Sequence, residues 1–206
     1  MSRILVAGID DIDPAKFKPV SDRENNIMFY LNKPDHCLYG STYLPDRLYK
    51  SNWLEWVALN DFYTDKYRKG ISFTLSKKAR ICNITCLEDY VTIAKKYSVK
   101  KYDNNDGFSH PEKVIDFVKL SKDYDCFHIT EEAFWRLRLP WNNYEDLLDE
   151  RDGYYFSDFY SYDCETWIMF NLDCINYGSI INHNNILTEE MEYRYLWNKS
   201  PRRFIS

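Results

Sequence analysis

Tyr162-Asp163-Cys164-Glu165-Thr166-Trp167-Ile168-Met169-Phe170-Asn171-Leu172-Asp173-Cys174-Ile175 is the stretch on which the fold turns. Alternation along an extended chain puts Glu165, Trp167, Met169 and Asn171 on one face and Thr166, Ile168, Phe170 and Leu172 on the other. Both faces are largely apolar, so the segment from Glu165 to Asn171 is expected to be a strand covered on both sides. A carboxylate at the start of such a strand is costly to bury unless it is paired or opens onto a cleft. A strand-end glutamate simply facing water is the plain alternative.

Working outward, the chain intermixes short strands and amphipathic helices. Strand-like runs are read at Ile4 to Ile9, Ile27 to Leu31, His36 to Tyr43, Ile71 to Leu75 behind Gly70, Ala79 to Ile84, Tyr124 to Ile129 and, after Gly178, Ser179 to Asn182. Apolar residues at spacings of three and four predict helices after Ser51, an N-cap, and over Leu87 to Tyr97. Further helices are expected from Pro111 through Leu120, from Thr130 to Leu137, and over Leu187 to Trp197. Trp141 to Leu148 is a candidate helical turn, Asn104 to Ser109 a polar loop, and Arg151 to Ser161 a loop dense in aromatics. Without regular strand–helix alternation, an α+β class is favoured over a doubly wound sheet.

The chain has 206 residues with 45% apolar, 17% aromatic and 29% charged side chains and a net charge of -5. At this length about 70% of the extended chain's surface can be buried, enough for one sizeable core. No repeat or linker divides the chain, so residues 1–206 are expected to form a single domain with its core at about 27–183. No apolar run reaches the roughly 20 residues of a membrane span. Direct nucleic-acid binding is not expected: the charge is acidic, and Lys199, Arg202 and Arg203 form only a small basic tail. Six cysteines without a secretory leader predict reduced thiols in the cytoplasm. No metal site is expected, because His36, His110, His128 and His183 are widely spaced and Cys82 and Cys86 lack a second pair. The acidic turn Asp10, Asp11 and Asp13 before Pro14 lacks the pattern of a calcium loop. Heavy use of Tyr, Asn, Asp, Ile and Lys with 6 Gly suits an AT-rich genome, as in many phages and some low-GC bacteria.

Three segments carry a family resemblance. The Glu165 strand, Glu-Thr-Trp-Ile-Met-Phe-Asn-Leu-Asp-Cys-Ile, resembles the last core strand of ADP-ribosyltransferases, which opens on a catalytic glutamate. Leu38-Tyr39-Gly40-Ser41-Thr42 is similar to the family's first core strand, and Ser72-Phe73-Thr74 to its nicotinamide-cradling strand; the three occur in the family's order. Ser51 to Trp56, Ala79 to Ile84 and Tyr124 to Ile129 add likeness to phage-type members, so that the resemblance spans residues 36 to 176. One departure stands out: Tyr39 occupies the place of the family's His or Arg, while His36 lies three residues earlier.

The resemblance implies split mixed or antiparallel sheets with flanking helices and a toxin-like activity: transfer of ADP-ribose from NAD, the substrate, to a macromolecular acceptor. A protein acceptor or host protein target is expected, in the host cytoplasm if the chain is phage-encoded. Glu165 would stabilise the oxocarbenium-like centre formed as the nicotinamide–ribose bond breaks. His36, Tyr39, Gly40, Ser41, Ser51, Ser72, Phe73 and Tyr90 are the candidate NAD-binding residues by type. Tyr155, Phe156, Tyr160 and Asp163, in or beside the aromatic loop before Glu165, are candidates for acceptor recognition. The alternatives are a non-catalytic, phage-type inhibitor that docks through the aromatic loop, and a degenerate fold that binds NAD or ADP-ribose without turnover.

Overall fold

The sheet grows around the opening run Arg3-Ile4-Leu5-Val6-Ala7, whose alternation sends Ile4 and Val6 into one apolar cluster and Leu5 into another. In the computed structural model, which describes residues 2–21, 32–60, 65–101, 112–138, 148–151, 154–156, 159 and 162–187, this run is β1 (Arg3–Ala7). The other strands are β2 (Leu38–Thr42), β3 (Gly70–Thr74), β4 (Ile81–Ile84), β5 (Ser98–Lys101), β6 (Glu112–Ile115), β7 (Cys126–Ile129), β8 (Leu148–Asp149), β9 (Tyr154–Phe156), β10 (Thr166–Met169) and β11 (Ile181–His183). The helices are α1 (Asn52–Leu59), α2 (Leu87–Tyr97), α3 (Phe117–Asp123) and α4 (Glu131–Arg138).

Seven strands form a mixed sheet in the order β11-β3-β1-β2-β10-β7-β4, with every neighbouring pair antiparallel except β4 and β7. A second mixed sheet runs β5-β6-β9-β8, with β6 and β9 parallel. This is the α+β class expected from the sequence.

The central strand β10 is covered on both sides, as its composition requires. Ile168 and Phe170 pack under α2, α3 and α4 with Tyr90, Phe117, Leu120 and Phe134, all buried. Trp167 and Met169 point the other way, into a cluster with Ile4, Val6, Ile71 and Phe73. The register pairs Leu5 with Ser41 and Tyr39 with Ile168, so these four residues share the helix-bearing face. On that face α1 lays Leu54 and Val57 on Leu5, while α2 to α4 cover the β10-β7-β4 end. The gap between α1 and the other helices lies over β1, β2 and β10.

Local chemistry accounts for the boundaries. Ser51 caps α1 by accepting from Leu54 N at 3.2 Å. Gly40 is dictated by close approach: a Cβ there would sit 2.7 Å from Ile4 Cγ2 and 3.0 Å from the Leu5 carbonyl oxygen.

Three expectations need correction. The helix expected from Pro111 is instead β6 followed by α3: Val114 and Ile115 are β-branched and pair with Ser98 and Val99, and Asp116 then caps α3 by accepting from Lys119 N at 2.8 Å. The span Arg151 to Ser161 is not all loop, because the aromatic triplet Tyr154–Phe156 forms β9. The strand expected from His36 begins two residues later, since His36 has a left-handed φ of 63°. The strand at Ile27 to Leu31, the polar loop Asn104 to Ser109, Tyr160, and all but one residue each of the turn at Trp141 to Leu148 and the helix at Leu187 to Trp197 lie outside the described residues. No helix among the described residues is long and apolar enough to cross a membrane.

Candidate functional site

β10 pairs Trp167 with Gly40, so Glu165, two residues earlier, falls opposite Thr42 at the end of the ladder. The residue is 3% exposed, and its carboxylate meets four donors. Ser41 Oγ donates to Oε2 at 2.6 Å, and Thr42 Oγ1 donates to Oε1 at 2.6 Å. Thr42 N is shared between Oε2 at 3.0 Å and Oε1 at 3.2 Å. His128 Nε2 lies 3.0 Å from Oε1. Burial pushes this carboxyl up, but the donors from His128, Ser41 and Thr42 outweigh burial and hold it below the ordinary value of 4.5. Glu165 is therefore ionised at neutral pH, and His128 Nε2 carries the hydrogen that faces it.

A second ring of contacts holds these donors. His128 stacks on Trp167 with centroids 3.8 Å apart and planes 11° from parallel. Its Nδ1 lies 2.6 Å from Asn83 Oδ1, and Trp167 Nε1 donates to Thr42 Oγ1 at 3.0 Å. The sheet register explains the assembly: Gly40, Trp167, His128 and Asn83 stand in one row across β2, β10, β7 and β4.

Glu165 opens onto a cavity of about 390 Å3 in the gap beside α1. Its lining includes Leu5, Tyr39, Gly40 and Ser41 from β1 and β2, Trp53 and Tyr67, and Tyr162, Asp163 and Thr166 around Glu165. Lys33 and Lys66 bring positive charge to the same cavity. Lys33 Nζ lies 4.0 Å from Asp163 Oδ2 and 5.1 Å from the Tyr162 ring centroid, and Lys66 Nζ lies 4.7 Å from that of Tyr67. A carboxylate fixed at one wall, two ammonium groups and several aromatic rings make a chamber suited to a ligand that combines a flat ring, hydroxyls and an anionic group.

Of the residues singled out from the sequence, Tyr39, Gly40, Ser41, Asp163 and Glu165 meet at this cavity. The other candidates for NAD binding do not line it. Ser51 is buried in its capping role, Phe73 is fully buried in the cluster beneath the sheet, and Tyr90 is buried against Phe159 at 5.1 Å. Ser72 lies under Arg3 Nη1, which donates to its carbonyl at 3.1 Å, and 2.8 Å from His183 Nε2. Burial and the Arg3 guanidinium hold the His183 imidazole below 6.5. His36 is exposed and lines a separate cavity with Asp10, Asp11 and Asp13. Residue type and the resemblance point to these candidates, and neither says which side chains meet across the sheet. Tyr39 presents its ring but not its hydroxyl, which donates to the Pro34 carbonyl.

The aromatic segment before Glu165 is partly folded inward. Phe159 and Tyr162 are buried with Tyr90 and Phe127, so these two rings are core rather than an exposed docking surface. Tyr155 and Phe156 belong to β9. Among the described residues no group of three His, Cys, Asp or Glu could hold a metal ion.

Sequence reasoning did not single out Thr42, His128, Asn83, Trp167, Lys33 or Lys66 as site residues. A signal existed for one of them: His128 is the polar residue in the fully buried strand Cys126–Ile129, and a polar residue there needs partners. No protein-family model matches the chain, and neither a curated protein nor a solved structure does.

Proposed function

We propose that the chain binds NAD in the cavity beside α1 and transfers its ADP-ribose to a protein acceptor. The observation that carries this reading is the ionised, pre-ordered Glu165 carboxylate at the cavity wall, beside the Gly40-Ser41 backbone. The glycosidic bond between nicotinamide nitrogen and ribose C1′ breaks with the electron pair leaving on nicotinamide, and positive charge develops on the ribose. A fixed carboxylate stabilises that charge without reorganising at the moment of reaction. Tyr39, Trp53 and Tyr67 bring aromatic rings to the cavity for a flat base, and Lys33 and Lys66 bring positive charge for a diphosphate. The acceptor nucleophile then bonds to C1′ and gives up its proton to water. The resemblance of the β2 and β10 segments to ADP-ribosyltransferases supports the same reading, since these two strands are neighbours here.

A second reading, binding of NAD or ADP-ribose without turnover, draws on two observations. Both Glu165 oxygens already accept hydrogen bonds, and the residue before Gly40 is Tyr39, with its hydroxyl engaged at Pro34. Two measurements separate the readings: the melting-temperature shift with NAD, and nicotinamide release. A shift with release supports transfer, and a shift without release supports binding alone. No shift and no release overturns both.

A further inference from the structure

Only one of the two Glu165 oxygens belongs to the cavity side of the sheet. Ser41, which donates to Oε2, lines the cavity. Thr42 and His128, whose side chains meet Oε1, stand on the opposite face with Trp167, as their register requires. Oε1 thus has its lone pairs filled from behind by the Thr42 hydroxyl and the His128 ring. Oε2 holds only a rotatable hydroxyl and a share of one N–H, so a ligand hydroxyl can take the place of Ser41 there.

We propose that His128 is a positioning residue for Glu165, fixing Oε1 from behind the sheet so that Oε2 alone is presented to the ligand. This rests on the reading of Glu165 as the group that meets the substrate. The ring is held for that task on three sides. Trp167 stacks on its face at 3.8 Å, Asn83 Oδ1 stands 2.6 Å from Nδ1, and Nε2 is left pointing at the carboxylate. Trp167 is tied in turn through Nε1 to the Thr42 hydroxyl, which itself donates to Oε1. Carboxylate, threonine, indole and imidazole therefore form a closed cycle, in which tilting any member loosens the rest. Among the described residues, the polar groups within hydrogen-bond distance of the ring nitrogens are Glu165, just before β10, and Asn83 from β4, and the Trp167 ring stacks on its face. A histidine serving only as core filler would not need a polar partner at each ring nitrogen.

The test compares His128→Phe, which keeps a ring on Trp167 but removes the Nε2 donor, with His128→Gln, whose amide reaches toward the same oxygen. Two readouts are taken: nicotinamide release from NAD, and the titration midpoint of Glu165 followed by carboxyl carbon NMR. His128→Phe is expected to lower kcat about 10- to 100-fold, the size of one lost charge-assisted hydrogen bond, with KM for NAD within about threefold. Its Glu165 midpoint moves upward, and His128→Gln restores much of both. If His128→Phe fails to fold, Asn83→Ala at an exposed edge position frees the ring from behind, and the same pattern is expected at about threefold in kcat. An unmoved midpoint overturns the positioning role whatever the activity. A rise in KM parallel to the loss of kcat, or no rescue by glutamine, overturns it in favour of a merely structural histidine. If the midpoint moves but the native protein releases no nicotinamide, the reading of Glu165 itself fails and the positioning role falls with it.

Discussion

Replacing Thr42 by valine removes one hydroxyl and leaves the shape of the side chain intact. That hydroxyl donates to Glu165 Oε1 at 2.6 Å and accepts from Trp167 Nε1 at 3.0 Å. A hydrogen bond to a charged group contributes about 1.5–3 kcal/mol, and a buried donor left without an acceptor costs about 1–3 kcal/mol. Trp167 is buried, but Thr42 is only half-buried, so water compensates part of the loss. The net cost is about 2–4 kcal/mol, a large share of the roughly 5–15 kcal/mol that stabilises a domain. With a urea slope of about 2–3 kcal/mol/M for a chain of this length, the unfolding midpoint should fall by about 1 M. Thr42→Ser keeps the hydroxyl and loses one methyl, so it should cost only about 1 kcal/mol. Urea unfolding of the two variants side by side gives the comparison. If valine and serine agree within about 0.5 kcal/mol, the hydroxyl is not the link between Trp167 and Glu165, and the closed cycle is wrong.

Gly40→Ala should destabilise by about 1–3 kcal/mol, seen as a lowered melting temperature, because the added Cβ meets Ile4 Cγ2 at 2.7 Å and the Leu5 carbonyl oxygen at 3.0 Å. An unchanged melting temperature would mean that β1 and β2 can separate without cost. Acid should weaken the fold in a defined window. Hydrogen bonds from Arg80, with a further one from Asn171, push the Asp125 carboxyl down from 3.8 to about 2, so its contribution is complete above 3.8 and is lost as pH falls toward 2. Urea midpoints measured across that range should drop more steeply for the native protein than for Asp125→Asn; parallel curves would show that the pairing with Arg80 does not stabilise the fold.

The strand expected from Glu165 to Asn171, found as Thr166–Met169, was legible because an unbroken apolar run flanked by polar turns has few other ways to be buried, and its two faces are occupied as alternation requires. The same holds for α1 and α2, where Ser51 and the three-and-four spacing fix the start and the buried side. What alternation does not contain is which strands become neighbours. Asn83, His128 and Glu165 are separated by 45 and 37 positions, and only the parallel pairing of β4 with β7 and the antiparallel pairing of β7 with β10 bring them together. Tyr90 and Phe73 were legible as aromatic but not as core, because residue type does not say which rings the core needs for itself. Val114 and Ile115 deceived for a related reason. Their spacing to Phe117 and Leu120 mimics a helix, yet their β-branched side chains are used in pairing with β5.

The role proposed for Glu165 is to drive cleavage of the nicotinamide–ribose bond. Its most direct test is nicotinamide release from NAD by the native protein and by Glu165→Gln, with the fold of each checked by circular dichroism and the NAD-induced melting shift measured alongside. Release by the native protein, a loss of at least about 100-fold in the glutamine variant, and a melting shift with NAD retained in both are expected. Equal release by the two folded proteins would contradict that role.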